Sequence, residues 1–411
     1  MSYFVTVADT PQSGSGELVS KPWEGWIPGV LSARQARALI DRKLLLDTDH
    51  SAVTESSIDL HLSDEAYVLN SGSIKPCGGN RYARFIRSDG ERVRPDDSSV
   101  FQLHARKTYV FKLRERINGL KNSPIHGEAT AKSSVGRVDV LARLAVDGER
   151  GYESFEPKNI DSGDMYLEVT PITFPVSVQV GASLSQLRLF YGKPASCAVA
   201  GPEYNEALLR GTNDYSDASL SVDLTNTRVS NVEAAAFRAK ASEANSSIQL
   251  WADGSSEGPD PCQHWQILQT DAADDEERRL TIEQGAFYIL RSKERLAIPQ
   301  GIAVYCRATD ETIGEMRIHY AGFVHPHFGL HRADRIDGTP LIFEVRGHDV
   351  NVNLIHGEKL ARLTFYRMSE DAAAPEKPQP YNEQTLKLSK YFGPWPEKLE
   401  VARDGRVTEG K

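Results

Sequence analysis

Within six positions of this chain fall a lysine, two serines, a glycine and an arginine, in Ala131-Lys132-Ser133-Ser134-Val135-Gly136-Arg137. Hydroxyls and open backbone N–H groups cap phosphate oxygens. A lysine adds a point charge, and an arginine adds a planar fork that grips two oxygens. The same composition also suits a polar turn that only caps a strand. Downstream, Glu168 lies in Met165-Tyr-Leu-Glu-Val169. In a strand, Leu167 and Val169 share one face and Tyr166 and Glu168 the other. A strand glutamate usually meets water. One that faces a pocket instead has its pKa raised by desolvation, which suits it to proton transfer.

The elements that must carry these residues read as short strands. SSIDLHL, TYVFKL, RVDVLARL, MYLEV, FPVSVQV and QLRLFY alternate apolar and polar positions and are separated by Gly, Pro, Asn and Asp. Many short strands with tight turns point to a barrel or sandwich. Ser32 followed by Gln35 is a capping box, with Leu31 before it as a staple, and predicts a helix over 33–44. Residues 1–29 are rich in Ser, Gly, Pro and Thr and read as an irregular arm, with Trp23 and Trp26 as docking points.

The 411 residues favour two or three domains, and a 40% hydrophobic, 26% charged composition supplies an ordinary core. A net charge of −9 argues against coating a nucleic-acid polymer, though a few local cations can still hold an anionic ligand. No apolar run is long enough to span a membrane and the N-terminus does not resemble a signal peptide, so a cytoplasmic protein is expected. Cys77, Cys197, Cys262 and Cys306 are widely spaced, which disfavours a disulfide framework and a cysteine-rich zinc site. His126-Gly-Glu128 with Pro261-Cys262 is a fragment of the zinc-deaminase pattern, but Trp265 stands where its second cysteine belongs. His325, His327 and His331 lack supporting carboxylate spacing and read as loop residues.

An internal repeat organises the chain. Residues 167–190 align without gaps to 343–366, pairing Glu168 with Glu344 and Gly181 with Gly357. SVGR at 134–137 falls opposite TIGE at 312–315, and SSIDLHL at 56–62 recurs as SSIQLWA at 246–252. VEAAAFRAKASEA at 232–244 reads as the helix preceding the second copy. A period of roughly 180 residues is too long for a solenoid and indicates a duplicated domain.

SSIDLHL, KSSVGR, the Ile160-Asp-Ser-Gly163 turn and Tyr166-Leu-Glu168 occur in the order and rough spacing of dCTP deaminases. LSARQARALIDRKLL resembles the helix that begins them, and the two-copy layout resembles the long, bimodular branch of that family. The resemblance implies a mainly β fold of two tandem dUTPase-like distorted β-barrel (β-clip) domains with short helices. The expected layout is an arm 1–30, a catalytic domain 31–200, a linker 201–230, a degenerate domain 231–370 and a tail 371–411 serving as a candidate lid.

The implied activity is hydrolytic, zinc-independent deamination of dCTP to dUTP and ammonia, on the route to dUMP and dTMP. Glu168 falls on the general base, Ser133 on the serine that positions water, and Arg137 on the arginine that supports the reacting centre. Lys132 and Ser134 would hold phosphates, with Val135 and Gly136 in the same turn. Asp161 falls near the sugar, and Tyr166 and Leu167, next to Glu168, are expected to contact substrate. Tyr381 and Lys390 resemble the C-terminal lid, although the lid's glutamine is not evident. Mg2+ would accompany the triphosphate, and a homotrimer is implied. Rival readings are a dUTPase-like or bifunctional deaminase/diphosphatase and a nucleotide-sensing protein without turnover. In the second copy Glu311 and Glu315 stand opposite Ser133 and Arg137, and Gln249 opposite Asp59. That copy, including Glu344, is therefore expected to be structural or regulatory.

Overall fold

The computed structural model describes residues 22–79, 81–212, 214–240, 247–251, 258–271, 274–309, 316–319, 322–330, 338–375, 381 and 384–410. The expected helix forms over Ala33–Asp41, with both halves of the Ser32–Gln35 capping box in place. Leu39 and Ile40 are buried, and Lys43 at φ 59° ends the helix. Trp23 and Trp26 pack against the main core.

The rest is mainly β, in two sheets of one plan. The first runs, neighbour to neighbour, through Val140–Val146, Gly163–Pro171, Tyr109–Ile117, Ile58–Leu69, Ser183–Tyr191 and Ile125–Ala131. The second repeats it with Met316–His319, Thr339–Gly347, Phe287–Leu296, Ser219–Asp223, Lys359–Arg367 and Ile302–Ala308. All these pairings are antiparallel. The gapless alignment of 167–190 with 343–366 is reproduced in the hydrogen bonding. Glu168 faces Val110 and Arg143 across its two ladders, and Glu344 faces Ile289 and His319.

The start of the second copy lies earlier than expected. The presumed linker 201–230 holds the helix Pro202–Leu208 and the strand Ser219–Asp223, which occupies the place that Ile58–Leu69 has in the first sheet. SSIQLWA is not the counterpart of SSIDLHL. Its strand Ile248–Gln249 instead adds in parallel to Val176–Gln179 of the first copy. The helix expected over 232–244 is, as far as it is described, two strands, Val232–Ala234 and Ala236–Ala239. Ala234, Ala235, Ala236 and Phe237 are all buried there. Sheet packing on both faces overrides the helical preference of alanine.

The copies pack closely. Gly29 lies so near the second copy that a Cβ would sit 2.4 Å from the Ser369 nitrogen, a clash no side chain escapes. No helix among the described residues is long and apolar enough to cross a membrane.

Candidate active site

Ser133–Gly136 form one helical turn between the strands Ile125–Ala131 and Val140–Val146. The turn is anchored from below: the Lys132 N–H donates to the Leu184 carbonyl at 2.9 Å, and the Arg137 N–H to the Ser133 carbonyl at 3.1 Å. Val135 and Gly136 are buried under it. The Lys132 ammonium lies 2.5 Å from Asp59 of SSIDLHL, so the aspartate sets where this cation sits.

Arg137 is 2% exposed. Its Nε donates to Ser133 Oγ at 3.2 Å, and its two Nη atoms donate to the Lys387 carbonyl at 3.2 Å and to Gln384 Oε1 at 2.8 Å. The guanidinium also stacks 4.2 Å from the Tyr381 ring centroid. Burial lowers its pKa, partly offset by Tyr381 and Glu344.

The carboxylate beside this arginine is Glu344. One of its oxygens lies 4.0 Å from Arg137 Nε. Its carboxyl packs on Gly136, where an added Cβ would stand 3.3–3.4 Å from it. Burial pushes the Glu344 pKa up to about 8 against the opposing pull of Arg137. A carboxyl that titrates so near neutrality can give and take a proton at modest cost.

The 384–391 tail closes over the turn. Ser389 Oγ donates to the Ser134 carbonyl at 2.7 Å, and Ser134 Oγ donates to Tyr391 Oη at 3.4 Å. The Lys390 N–H donates to Tyr381 Oη at 3.3 Å. Leu386, Leu388, Tyr391 and Phe392 are buried in the shared core, which explains how a segment with little secondary structure is held. Tyr381 and Lys390 thus lie over the predicted turn. Gln384 was missed by the sequence reading. The available signal was its place three residues after Tyr381, in Tyr-Asn-Glu-Gln.

Within this chain Glu168 stands apart from Ser133 and Arg137 and is paired elsewhere. It is 1% exposed, and one carboxylate oxygen is ion-paired with Arg143. The other accepts from Tyr152 Oη at 3.0 Å and from the Ile74 N–H at 3.3 Å. Arg143 in turn stacks over Tyr152 and donates to Ser73 Oγ at 3.0 Å. The register places Glu168 directly opposite Arg143, so the strand that follows the Ser133 turn turns this glutamate away from it.

Tyr166 and Leu167, expected to contact substrate, are core residues. Tyr166 packs in a small cluster with Tyr82, and Leu167 is fully buried. Asp161 caps the Lys121 N–H at 3.1 Å, on the far turn of the Glu168 strand. Glu311, Glu315 and His331 lie outside the described residues. His325 is half-buried against Ser56 and Gln186, at 3.0 and 3.2 Å, with desolvation lowering its pKa to about 3. His327 contacts the Ala372 carbonyl at 3.2 Å. No group of three or more His, Cys, Asp or Glu among the described residues is placed to hold a metal ion.

Residues 27–193 match the family model for the 2'-deoxycytidine 5'-triphosphate deaminase N-terminal domain, and residues 203–392 match its C-terminal domain. Among solved structures, the crystal structure of 2'-deoxycytidine 5'-triphosphate deaminase from Agrobacterium tumefaciens is similar to this chain at a TM-score of 0.73. It is 28% identical, over 84% of this chain and 97% of that one. A protein titled anti-sigma factor domain-containing protein, 11% identical over 81% of this chain and 100% of its own, aligns at a TM-score of only 0.16 and carries no argument. No curated protein sequence matches. With its two copies matched by the two successive domain models, and its fold by a solved member, this chain belongs to the bimodular dCTP deaminase family.

Proposed function

We propose that this chain hydrolyses the 4-amino group of dCTP at a site shared between its two copies, with Glu344 in the role that sequence alignment alone assigns to Glu168. The observation that carries this reading is the approach of the Glu344 carboxyl to Arg137 and Gly136. Glu344 takes a proton from water as the oxygen bonds to C4 of the cytosine. It passes that proton to the ring nitrogen N3, then takes the hydroxyl proton of the tetrahedral centre and gives it to the amine, so that the C4–N bond breaks as C=O forms and dUTP and ammonia result. Ser133 Oγ, fixed by Arg137 Nε, orients the water. Arg137 steadies the charge that builds at the tetrahedral centre. Lys132, Ser134 and the backbone of the turn hold phosphate oxygens, and the tail from Tyr381 to Tyr391 shuts out solvent.

A magnesium ion would accompany the triphosphate as part of the substrate and offset its charge, and the reading calls for no zinc. Activity should accordingly survive a zinc-selective chelator. The product feeds deoxyuridylate and thymidylate formation in the cytoplasm. A homotrimer remains the proposed assembly, although both halves of this site come from one chain, and light scattering that finds an active monomer would refute it.

The deciding experiment incubates the protein with magnesium and each deoxynucleoside triphosphate and follows ammonia, pyrophosphate and base identity together. Ammonia and dUTP from dCTP, without pyrophosphate, are expected. Pyrophosphate release would indicate the bifunctional reaction, and turnover of no nucleotide would overturn the proposal.

A further inference from the structure

A second contact between the copies lies one strand repeat from the glutamate. Glu344 and Arg346 are i and i+2 on the strand Thr339–Gly347, so both side chains leave the same face. Arg137 and Asp139 are likewise two apart on the first copy. The two pairs meet with charges crossed, Glu344 against Arg137 and Arg346 against Asp139.

The second pair is the more tightly built. Asp139 is fully buried and ion-paired with Arg346 Nη1, and Thr173 Oγ1 donates to the same carboxylate oxygen. Arg346 Nη1 also lies 3.0 Å from Thr173 Oγ1, and its Nη2 donates to the Gly285 carbonyl at 2.9 Å. The backbone of Asp139 is equally constrained. It sits at φ 58°, in the left-handed region, and its N–H donates to the Gly136 carbonyl at 2.9 Å. Its own carbonyl accepts from the Ile172 N–H at 2.9 Å. Gly136 is the residue on which the Glu344 carboxyl rests. A continuous path therefore runs from Arg346 through Asp139 to Gly136 and back to Glu344.

Among the described residues the other glutamate strand has no such second pair. The position two residues after Glu168 is Thr170, whose hydroxyl pairs with Thr108 of its own sheet at 3.0 Å.

We propose that Asp139 and Arg346 are positioning residues that hold the Glu344 strand in register with the Ser133–Arg137 turn and so set the gap between base and arginine. Neither touches the substrate. Their effect falls on the chemical step more than on nucleotide binding, because the phosphates are held by the turn and tail. Misplacement of a reacting group by about 1 Å costs on the order of 10²-fold in rate.

The inference rests on the proposed role of Glu344, and the test separates the two. Arg346→Gln, Asp139→Asn, the double variant, Arg346→Lys and Glu344→Gln are compared for kcat and KM with dCTP, with melts reporting the fold. The expected result is a fall in kcat of about 10- to 100-fold in each single clamp variant with KM changed by less than about threefold. The double variant should fall no further than the worse single, because one interaction is removed either way. Arg346→Lys should recover part of the loss. Unchanged kcat in folded Arg346→Gln, or losses that multiply in the double variant, would overturn the clamp. Full turnover by Glu344→Gln would instead sink the assignment of the base. If Arg346→Gln does not fold, Asp139→Asn and Arg346→Lys carry the same comparison.

Discussion

Two glutamates at matching positions of a duplicated strand have been given opposite surroundings. Glu168 is neutralised within its own copy: Arg143 pairs with it, and Tyr152 and the Ile74 N–H occupy its remaining oxygen. Glu344 is buried too, but the cation it meets among the described residues, Arg137, stands 4.0 Å off and is itself held by Ser133, Gln384 and Lys387. Saturated hydrogen bonding makes a carboxylate structural. Burial that outweighs the pull of a cation raises a carboxyl's pKa toward the range useful for proton transfer. The two similar strands thus carry glutamates with different neighbours, one ion-paired within its own copy and the other set beside Arg137 of the other copy.

The same substitution in the two pockets should therefore strike different properties. Glu344→Gln is expected to lower turnover of dCTP by about 10²–10⁴-fold while the fold persists, since positioned proton transfer is of that worth. Glu168→Gln should leave kcat nearly intact. It should instead lower stability by about 3 kcal/mol, the low end for breaking a buried pair, because Arg143 is 20% exposed. Denaturant melts and steady-state kinetics on both variants check this. Turnover lost in Glu168→Gln and retained in Glu344→Gln would return the site to the first copy alone.

A smaller effect sharpens the contact itself. Gly136→Ala places a methyl 3.3 Å from the Glu344 carboxyl, so one of them must give by a few tenths of an ångström. A loss of roughly tenfold in kcat is expected, smaller than for removing the base. Glycine at the corresponding turn is not interchangeable with alanine if the geometry proposed for Glu344 holds, and an unaffected Gly136→Ala enzyme would count against it.

A last test is a matter of sign. Folding raises the Glu344 pKa from 4.5 to about 8, so the folded state keeps a proton that the unfolded chain has released. The associated stability is fully present below pH 4.5 and is lost as pH rises toward 8. Glu344→Gln cannot titrate, so its melting temperature should gain on that of the parent between pH 5 and pH 8. A constant difference across that range would mean that Glu344 is already ionised.

The turn, the strands and the duplication were legible in the residues because they rest on local patterns. Clustered Lys132, Ser133, Ser134 and Arg137 mark a polar turn between strands, and period-2 alternation signals the strands themselves. The capping box at Ser32 named a helix start to the residue. Where local pattern and packing disagreed, the pattern misled. VEAAAF is alanine-rich, yet its burial in a sheet makes it strand, and SSIQLWA mimics SSIDLHL while pairing with the other copy.

Which glutamate meets Arg137 was never a local property. Alignment shows that Glu168 and Glu344 are equivalent, and proximity in sequence favours Glu168 for the first copy's turn. The choice depends on how one sheet docks against the other, on a tail reaching back across both, and on Arg143 standing opposite Glu168 in register. Sequence by itself determined the residue types, the strand plan and the family. Only the tertiary structure decided the partners, because burial and contacts at a few ångströms, which set the charge state of a carboxyl, are made by residues as far apart in sequence as Arg137 and Glu344, or Arg137 and Gln384.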